Sequence, residues 1–395
     1  MTKRSQIVKG NIDTISAKGK GILKTPNGPV YVPYAAPGDI ISAQIIKTAP
    51  TYRIGKLKDL YYSSKGRRTP PCPSAGRCGG CQLQHISPEI QRTNKEHWVH
   101  EALNQQSLHP TIEAIRFAKE LEYRNKIQLS VIHDGESVQL GMNRFHSAML
   151  EPLSDCWVVQ PAIRQIIPVI REWITHLGGT WSQVTIRATT DGHCIAIAES
   201  PSGEFEIWGD GTLTETMGGL RYRISPHSFF QGNTQLLPEL VSTVIGLAGP
   251  SLDANGLDLF SGIGLFGLPL AQLSHSVIGV ELNTSSAEDA EYNAKTNGIK
   301  NYSVQSTDID SLWPLSNSPQ FAVLDPPRTG LSAATIEGLR AARIPRLIYV
   351  SCNPQTFARD ARLLSDTYTL QTVIPFDMFP NTIHTELVSL LTCKL

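Results

Sequence analysis

Apolar and polar positions follow different rhythms in different parts of this chain. From residue 5 to about 60 the apolar residues come in short bursts: Ile7-Val8, Val30-Tyr31-Val32, the run from Ile40 to Ile46 and the run from Tyr52 to Leu57. Turn formers such as Ala36-Pro37-Gly38-Asp39 separate them. Bursts bounded in this way predict short strands joined by tight turns. A helix is expected over 88–106, opened by Ser87-Pro88-Glu89. β-rich segments then dominate from 107 to 225. Residues 123–131 alternate in part and place Arg124 and Lys126 on one strand face, suited to phosphate or to solvent. Segments 139–142 and 185–187 read as strands and 163–177 as a helix. Beyond 233 a helix (233–248) leads into apolar runs at 256–260, 276–281, 301–306, 320–325, 346–351 and 367–376. Helical patterns at 264–273, 284–297, 332–343 and 354–365 separate most of them, and a last strand is expected at 386–393. This alternation predicts a doubly wound, mostly parallel sheet.

Two strand ends in that region carry chemistry. Leu347-Ile348-Tyr349-Val350 reads as a buried strand, Asn353 as an N-cap and Pro354 as the first helical residue. Cys352 therefore falls between strand and helix, where ligands bind in open α/β sheets. The partial positive charge of the helix start is expected there to favour thiolate. Phe321-Ala322-Val323-Leu324 delivers Asp325 to the same edge, and Pro326-Pro327 stiffens the turn before Arg328. Upstream, Leu257-Asp258-Leu259-Phe260-Ser261-Gly262-Ile263-Gly264 is a strand followed by a glycine turn, with Gly267 completing a G-x-G-x-x-G spacing. Glu281 ends the next strand, where a carboxylate can accept ribose hydroxyls. The spacing admits a dinucleotide, but Asp258 before the turn, with Phe260 and Ser261, resembles the S-adenosylmethionine loop of class I methyltransferases, as D-P-P does their signature; that resemblance implies that Asp258 can reach the ligand's ammonium.

Composition adds a location and a partner. No apolar run is long enough to span a membrane, and 1–5 lack the apolar segment of a signal peptide. A reducing cytoplasm is the expectation, with the seven cysteines as ligands or catalysts rather than disulfides. The net charge of zero conceals an imbalance: residues 1–70 hold 13 Lys and Arg against 3 acids, leaving 22 against 32 elsewhere. A basic N-terminal module on an acidic remainder points to RNA or DNA. Cys72, Cys78 and Cys81 follow a C-x5-C-x2-C spacing, with Gly79-Gly80 permitting a tight loop, and Cys156 is the best fourth ligand. Zinc and an iron–sulfur cluster both accept four thiolates, so spacing does not separate them.

The N-terminal strand and turn order resembles the TRAM module, a small OB-like RNA-binding barrel. As a whole the chain resembles the RNA uridine-5-methyltransferases, through C-x5-C-G-G-C, Phe229-Phe230-Gln231, D-P-P-R at 325–328, S-C-N-P at 351–354 and the closing Phe379-Pro380-Asn381-Thr382-Ile383-His384-Thr385-Glu386. That resemblance implies a multidomain chain: a barrel over 1–60, a central α+β, β-rich domain with an iron–sulfur cluster over 61–230, and a class I Rossmann-like methyltransferase domain over 231–395. It implies a [4Fe-4S] cluster on Cys72, Cys78, Cys81 and Cys156, and S-adenosylmethionine bound by Gln231, Phe260, Glu281, Asp308 and Asp325. It makes Cys352 the nucleophile and Glu386 the general base, with Asp325 able to orient that base. Leu265 stands where many relatives have asparagine. Cluster and barrel together resemble the branch acting on large-subunit rRNA; a tRNA substrate is the alternative. A monomer with no membrane partner is expected. Two other readings use parts of the same sequence. D-P-P-[YFW] enzymes methylate exocyclic amines with no covalent step, but Arg328 replaces their aromatic residue. A redox-sensitive RNA-binding iron–sulfur protein would leave the glycine loop and Cys352 without a purpose.

Overall fold

The structure is a computed structural model, and it describes residues 6–394 save 136 and 146. Lys3 and Arg4, counted in the basic N-terminal charge, lie outside the described residues. The chain forms two compact units, each discontinuous in sequence. One contains Met1–Trp98, Leu129–Trp157 and Phe379–Ile383; the other contains Val99–Gln128, Val158–Met378 and His384–Leu395.

In the first unit, five strands close into a barrel: Ile7–Ile15, Lys20–Leu23, Val30–Pro33, Ile40–Thr48 and Arg53–Tyr62. Val30–Pro33 and Arg53–Tyr62 pair in parallel and close it. Ile12, Leu23, Val30, Val32, Ala35, Ile41 and Ala43 fill the interior. The sequence pattern marks four of these strands and misses Lys20–Leu23, whose Lys-Gly start resembles a turn. The turn at 36–39 is held from inside. Asp39 is fully buried and accepts hydrogen bonds from the backbone N–H of Ala36 (2.7 Å) and Ser64 (3.1 Å). The Arg67 guanidinium meets the same carboxylate at 2.7 Å, and these donors hold its pKa below the usual range.

The second unit is built on an eight-stranded sheet. Its order is Tyr302–Ser306, Ser276–Glu281, Asn255–Leu259, Phe321–Leu324, Arg346–Ser351, Glu386–Cys393, Tyr368–Phe376 and Thr111–Ile112. The first five strands are parallel. Glu386–Cys393 runs antiparallel to both neighbours. Leu347, Ile348, Tyr349 and Val350 are fully buried, as a central strand covered on both faces requires. Helices Thr284–Thr296, Ala333–Ala342 and Pro354–Leu364 lie close to their expected ranges. The helix expected over 264–273 shrinks to Gly267–Ala271. The reason is the turn before it, where Phe260, Gly262 and Gly264 all take positive φ and cannot continue a right-handed helix.

Removing the buried Asp39 carboxylate strands the Arg67 charge and two turn amides. Asp39→Ala should lower unfolding free energy by about 3 kcal/mol, read from urea denaturation. A loss under about 0.5 kcal/mol, the range of an ordinary surface change, would show that the turn does not depend on this pair.

Candidate functional site

Strand register assembles the site. Leu259, Leu324 and Tyr349 lie side by side across three parallel strands, so Phe260, Asp325 and Cys352 leave the sheet along one edge. Glu281 ends the neighbouring strand at that edge. The antiparallel strand starts there too. Ser351 pairs with Leu387, which sets Glu386, one residue earlier, opposite Cys352, one residue later.

Cys352 is half-buried just ahead of helix Pro354–Leu364. Asn353 caps that helix through the Gln355 N–H (3.1 Å), as expected. The thiol behaves otherwise than the helix start implies: its pKa is pushed up to about 11. Burial is the main cause, followed by the charges of Glu386 and Asp325, while Arg328 opposes them by charge and by hydrogen bonding to the sulfur. A helix terminus contributes only fractions of a kcal/mol at a surface, less than desolvation and two carboxylates. Arg328 was legible only as part of D-P-P-R. Its part at the sulfur comes from the rigid Pro326-Pro327 turn, which points the next residue toward the neighbouring strand end. His384 Nε2 lies 3.5 Å from the same guanidinium.

Glu386 is 2 % exposed. Burial and the nearby charge of Asp325 raise its pKa well above the ordinary carboxyl value. Asp325 is raised to about 7 by desolvation, against a 3.4 Å hydrogen bond from Gln231 Nε2. Two coupled carboxyls in so little water hold at least one proton at neutral pH. Gln231 is itself fixed: Asn125 Nδ2 donates to its carbonyl oxygen at 3.0 Å.

The glycine loop forms the other half of the site. Phe260 has φ of 63°, a left-handed conformation that bulky residues avoid and that concentrates where backbone is held for a ligand. Glu281 Oε2 accepts the Gly262 N–H (2.8 Å) and Oε1 the Asn283 N–H (2.7 Å), leaving lone pairs for hydroxyl donors. Asp258 departs from the expectation that it reaches a ligand. It is fully buried within the strand, and its Oδ2 accepts the Gly267 N–H at 2.8 Å. A Cβ on Gly267 would stand 2.7 Å from that oxygen, so glycine is required. Burial lifts Asp258 to about 8, with further contributions from Asp325 and Glu281. Asp308 is exposed and caps the short 3-10 helix Ile309–Leu312. Acids that raise one another's pKa in a sheltered pocket favour a cation, as a sulfonium with an ammonium group would be.

In the other unit, Cys72, Cys78, Cys81 and Cys156 converge. The pKa of Cys81 is pushed up to about 12, chiefly by burial and then by the charges of Cys156, Cys78 and Cys72. All four are free thiols. Among the described residues, no group of three or more His, Cys, Asp or Glu is disposed to hold a metal ion, so the expected four-cysteine metal site is not formed as such. The loop is braced by the Gly79 N–H on the Asn143 carbonyl (2.8 Å), and a Cβ there would lie 2.7 Å from that oxygen. Glu151 ties it down further through Arg77 (2.6 Å) and Arg144 (2.9 Å).

The raised carboxyls carry a pH signature. Between the unfolded value near 4 and the folded value near 7, the native state binds more protons than the unfolded state, so stability falls as pH rises. Melting temperature should therefore decline across that window, and the Asp325→Asn variant should show a shallower decline. An unchanged slope in the variant would show that Asp325 titrates normally in the fold.

A family model described as tRNA (Uracil-5-)-methyltransferase matches residues 211–311 and 316–394. The chain is 30% identical to a Chromohalobacter salexigens protein named 23S rRNA (uracil(1939)-C(5))-methyltransferase, over 97% of this chain and 88% of that one. It is 28% identical to an uncharacterized RNA methyltransferase of Oceanobacillus iheyensis, over 99% and 98% of the two chains. Among solved structures, the Pyrococcus abyssi tRNA (uracil-54, C5)-methyltransferase in complex with S-adenosyl-L-homocysteine superposes with a TM-score of 0.80 at 25% identity, covering 98% of this chain and 100% of that one. The barrel, the methyltransferase fold and these matches together establish that the chain belongs to the RNA uracil-5-methyltransferase family.

Proposed function

We propose that this protein transfers a methyl group from S-adenosylmethionine to C5 of a uridine in 23S rRNA, through a covalent bond between Cys352 and C6 of the base. The observation that carries this reading is the register that sets Glu386 opposite Cys352 at the ligand edge of the sheet. Gln231, Phe260, Glu281, Asp308 and Asp325 would hold the methyl donor, which supplies an electrophilic methyl on a sulfonium. The acidic pocket suits that cation, and the solved Pyrococcus relative is a complex with S-adenosyl-L-homocysteine, the demethylated product.

Uracil C5 is a poor nucleophile while the ring is intact. Cys352 thiolate forms a bond to C6, and the electron pair of the C5–C6 double bond moves into an enolate centred on C5 and O4. C5 then takes the methyl group, and the methyl–sulfur bond of the donor breaks. Glu386 removes the C5 proton, the double bond reforms and Cys352 leaves as thiolate. The free site opposes both ionisations, since the raised Cys352 pKa disfavours the attacking thiolate and the raised Glu386 pKa disfavours the base needed later. Arg328 is the counterweight at the sulfur, and the arriving cation lowers both carboxyl pKa values. To be reached, the uridine must leave any stack.

The RNA class rests on two supports. The Chromohalobacter relative is named for 23S rRNA. The barrel strand Arg53–Tyr62 exposes Tyr61 and Tyr62, with Lys9 stacked 3.7 Å from the Tyr61 ring centroid, a surface suited to bases and phosphates. The Pyrococcus structure is named for tRNA, so tRNA is the second reading. In the four-cysteine site, burial and mutual proximity keep the thiols protonated, and a cationic iron–sulfur core would supply the charge that lets them bind as thiolates.

Labelled methyl transfer to unmodified 23S rRNA and tRNA, with the product nucleoside identified, tests the reading; 5-methyluridine in rRNA alone is expected. Product in tRNA alone would overturn the substrate, and a methylated amine would overturn the chemistry. Cys352→Ala should abolish transfer while retaining donor binding, and near-wild-type turnover would remove Cys352 as nucleophile. Glu386→Gln should accumulate a protein–RNA adduct that survives denaturing gels; its absence would count against Glu386 as base. Because thiol and carboxyl must both lose protons, kcat/KM should still be rising at about pH 9, whereas a flat profile from neutral pH upward would contradict the raised thiol. Cys81→Ser should lose iron and acid-labile sulfide after anaerobic purification, and full iron content in that variant would exclude Cys81 as a ligand.

A further inference from the structure

Helix Pro354–Leu364 supports more than the Cys352 that precedes it. Along one side, at positions three and four residues apart, Asn353, Thr356 and Asp360 all meet the loop that follows Pro326-Pro327. Asn353 Nδ2 donates to the Arg328 carbonyl at 3.2 Å, and Thr356 Oγ1 lies 3.2 Å from the same oxygen. The Thr356 hydroxyl is shared, since the Asn353 carbonyl is also 3.2 Å away. Asp360 is fully buried, and its Oδ2 accepts both the Leu331 N–H and the Tyr349 hydroxyl at 2.8 Å. Arg359 donates to the Thr329 carbonyl at 2.9 Å, while its Nε holds the other Asp360 oxygen at 2.8 Å.

The loop lies so close to the helix that its apex must be glycine. The Gly330 N–H donates to the Pro327 carbonyl at 2.8 Å, and Gly330 has φ of 78°. A Cβ there would collide with Asp360 Oδ2 and stand 2.6 Å from an Arg359 guanidinium nitrogen. Backbone groups of residues 328, 329 and 331 are thus each bonded to the helix.

This anchorage governs where a charge sits. Arg328 is exposed, and an arginine side chain samples many rotamers unless its base is held. Its guanidinium is hydrogen-bonded to the Cys352 sulfur and lies 3.5 Å from His384 Nε2; Glu386 and Asp325 act on the same sulfur with opposite charge. Pro326 and Pro327 fix the backbone before Arg328, and the helix fixes it after. Asn353 therefore has a part that capping alone does not require. Serine, aspartate and asparagine all cap through an oxygen, but of these only asparagine adds a separate amide donor. We propose that Asn353, Thr356 and Asp360 form a cradle that positions Arg328 against the Cys352 sulfur, so that the reactivity of the cysteine is set by side chains bonded to the loop and not to the sulfur. They are positioning residues, acting through Arg328. This inference rests on the reading of Cys352 as the nucleophile.

The test follows alkylation of Cys352 by iodoacetamide at about pH 8 in the free protein, with the modified peptide quantified by mass spectrometry. Thiolate is the reacting form, so below the thiol's pKa the rate tracks the ionised fraction. Arg328→Met should slow alkylation about tenfold, the effect of one pKa unit. Asn353→Ser keeps a cap and drops the amide donor; it should slow alkylation about threefold, half a unit, with melting temperature unchanged. Thr356→Val should act in the same direction, and Thr356→Ser, which keeps the hydroxyl, should restore the wild-type rate. In an Arg328→Met background Asn353→Ser should have no further effect, because the residue it positions is gone. Should Asn353→Ser not fold, Thr356→Val carries the same comparison. Wild-type alkylation in folded Asn353→Ser and Thr356→Val would overturn the proposal. Equal slowing with and without Arg328 would also overturn it, assigning the effect to the helix start itself. Single-turnover methyl transfer to unmodified 23S rRNA is measured alongside. Slower alkylation with slower transfer supports both readings, whereas slower alkylation with unchanged transfer upholds the cradle and removes Cys352 as nucleophile.

Discussion

Everything chemical in this protein depends on one strand pairing. Arg346–Ser351 ends at the ligand edge of a parallel sheet, and Glu386–Cys393 pairs with it in the opposite direction. A parallel neighbour would have its C-terminal end at that edge, with its first residue at the far side of the sheet. The antiparallel neighbour begins at the edge instead, and so the Glu386 carboxyl lies near enough to Cys352 for its charge to raise the thiol's pKa. Both faces of Arg346–Ser351 are buried, and a slip of one residue would carry Tyr349 away from Asp360, to whose Oδ2 its hydroxyl donates at 2.8 Å.

That geometry has an electrostatic consequence. Glu386, Asp325 and Asp258 are acids in a region with little water, and each has a raised pKa. The free site therefore keeps a proton on Glu386, which the proposed chemistry needs ionised, and Cys352 remains a thiol. A cation at the acidic pocket and Arg328 at the sulfur both shift this balance toward the reactive form. In the proposed reaction, ordering binding before ionisation would protect Cys352 from oxidation or alkylation.

Much of this was legible in the sequence where local rules govern. The run from Leu347 to Val350 followed by Asn353-Pro354 gave the strand end and the capped helix, and Phe321–Leu324 before Asp325 gave the neighbouring edge. Lys20–Leu23 was missed because a Lys-Gly start carries turn chemistry, and only closure of the barrel makes it a strand. The direction of the Cys352 shift was also missed. A helix start can be read from the sequence, but Glu386 reaches the thiol through sheet pairing, and burial comes from tertiary packing. Asp258 illustrates the same limit: an acid before a glycine turn suits a ligand, but here the fold turns it inward to hold Gly267.

The most direct test of the central claim is mass spectrometry of wild-type enzyme reacted with S-adenosylmethionine and RNA in which 5-fluorouridine replaces uridine. Fluorine at C5 cannot be removed as a proton is, so a base that has been methylated while bonded to a cysteine stays attached. The account predicts a stable adduct carrying one methyl group and a fluorinated uridine, on the peptide that contains Cys352. An adduct on a different cysteine, or methylated fluorinated RNA released with no adduct, would contradict it.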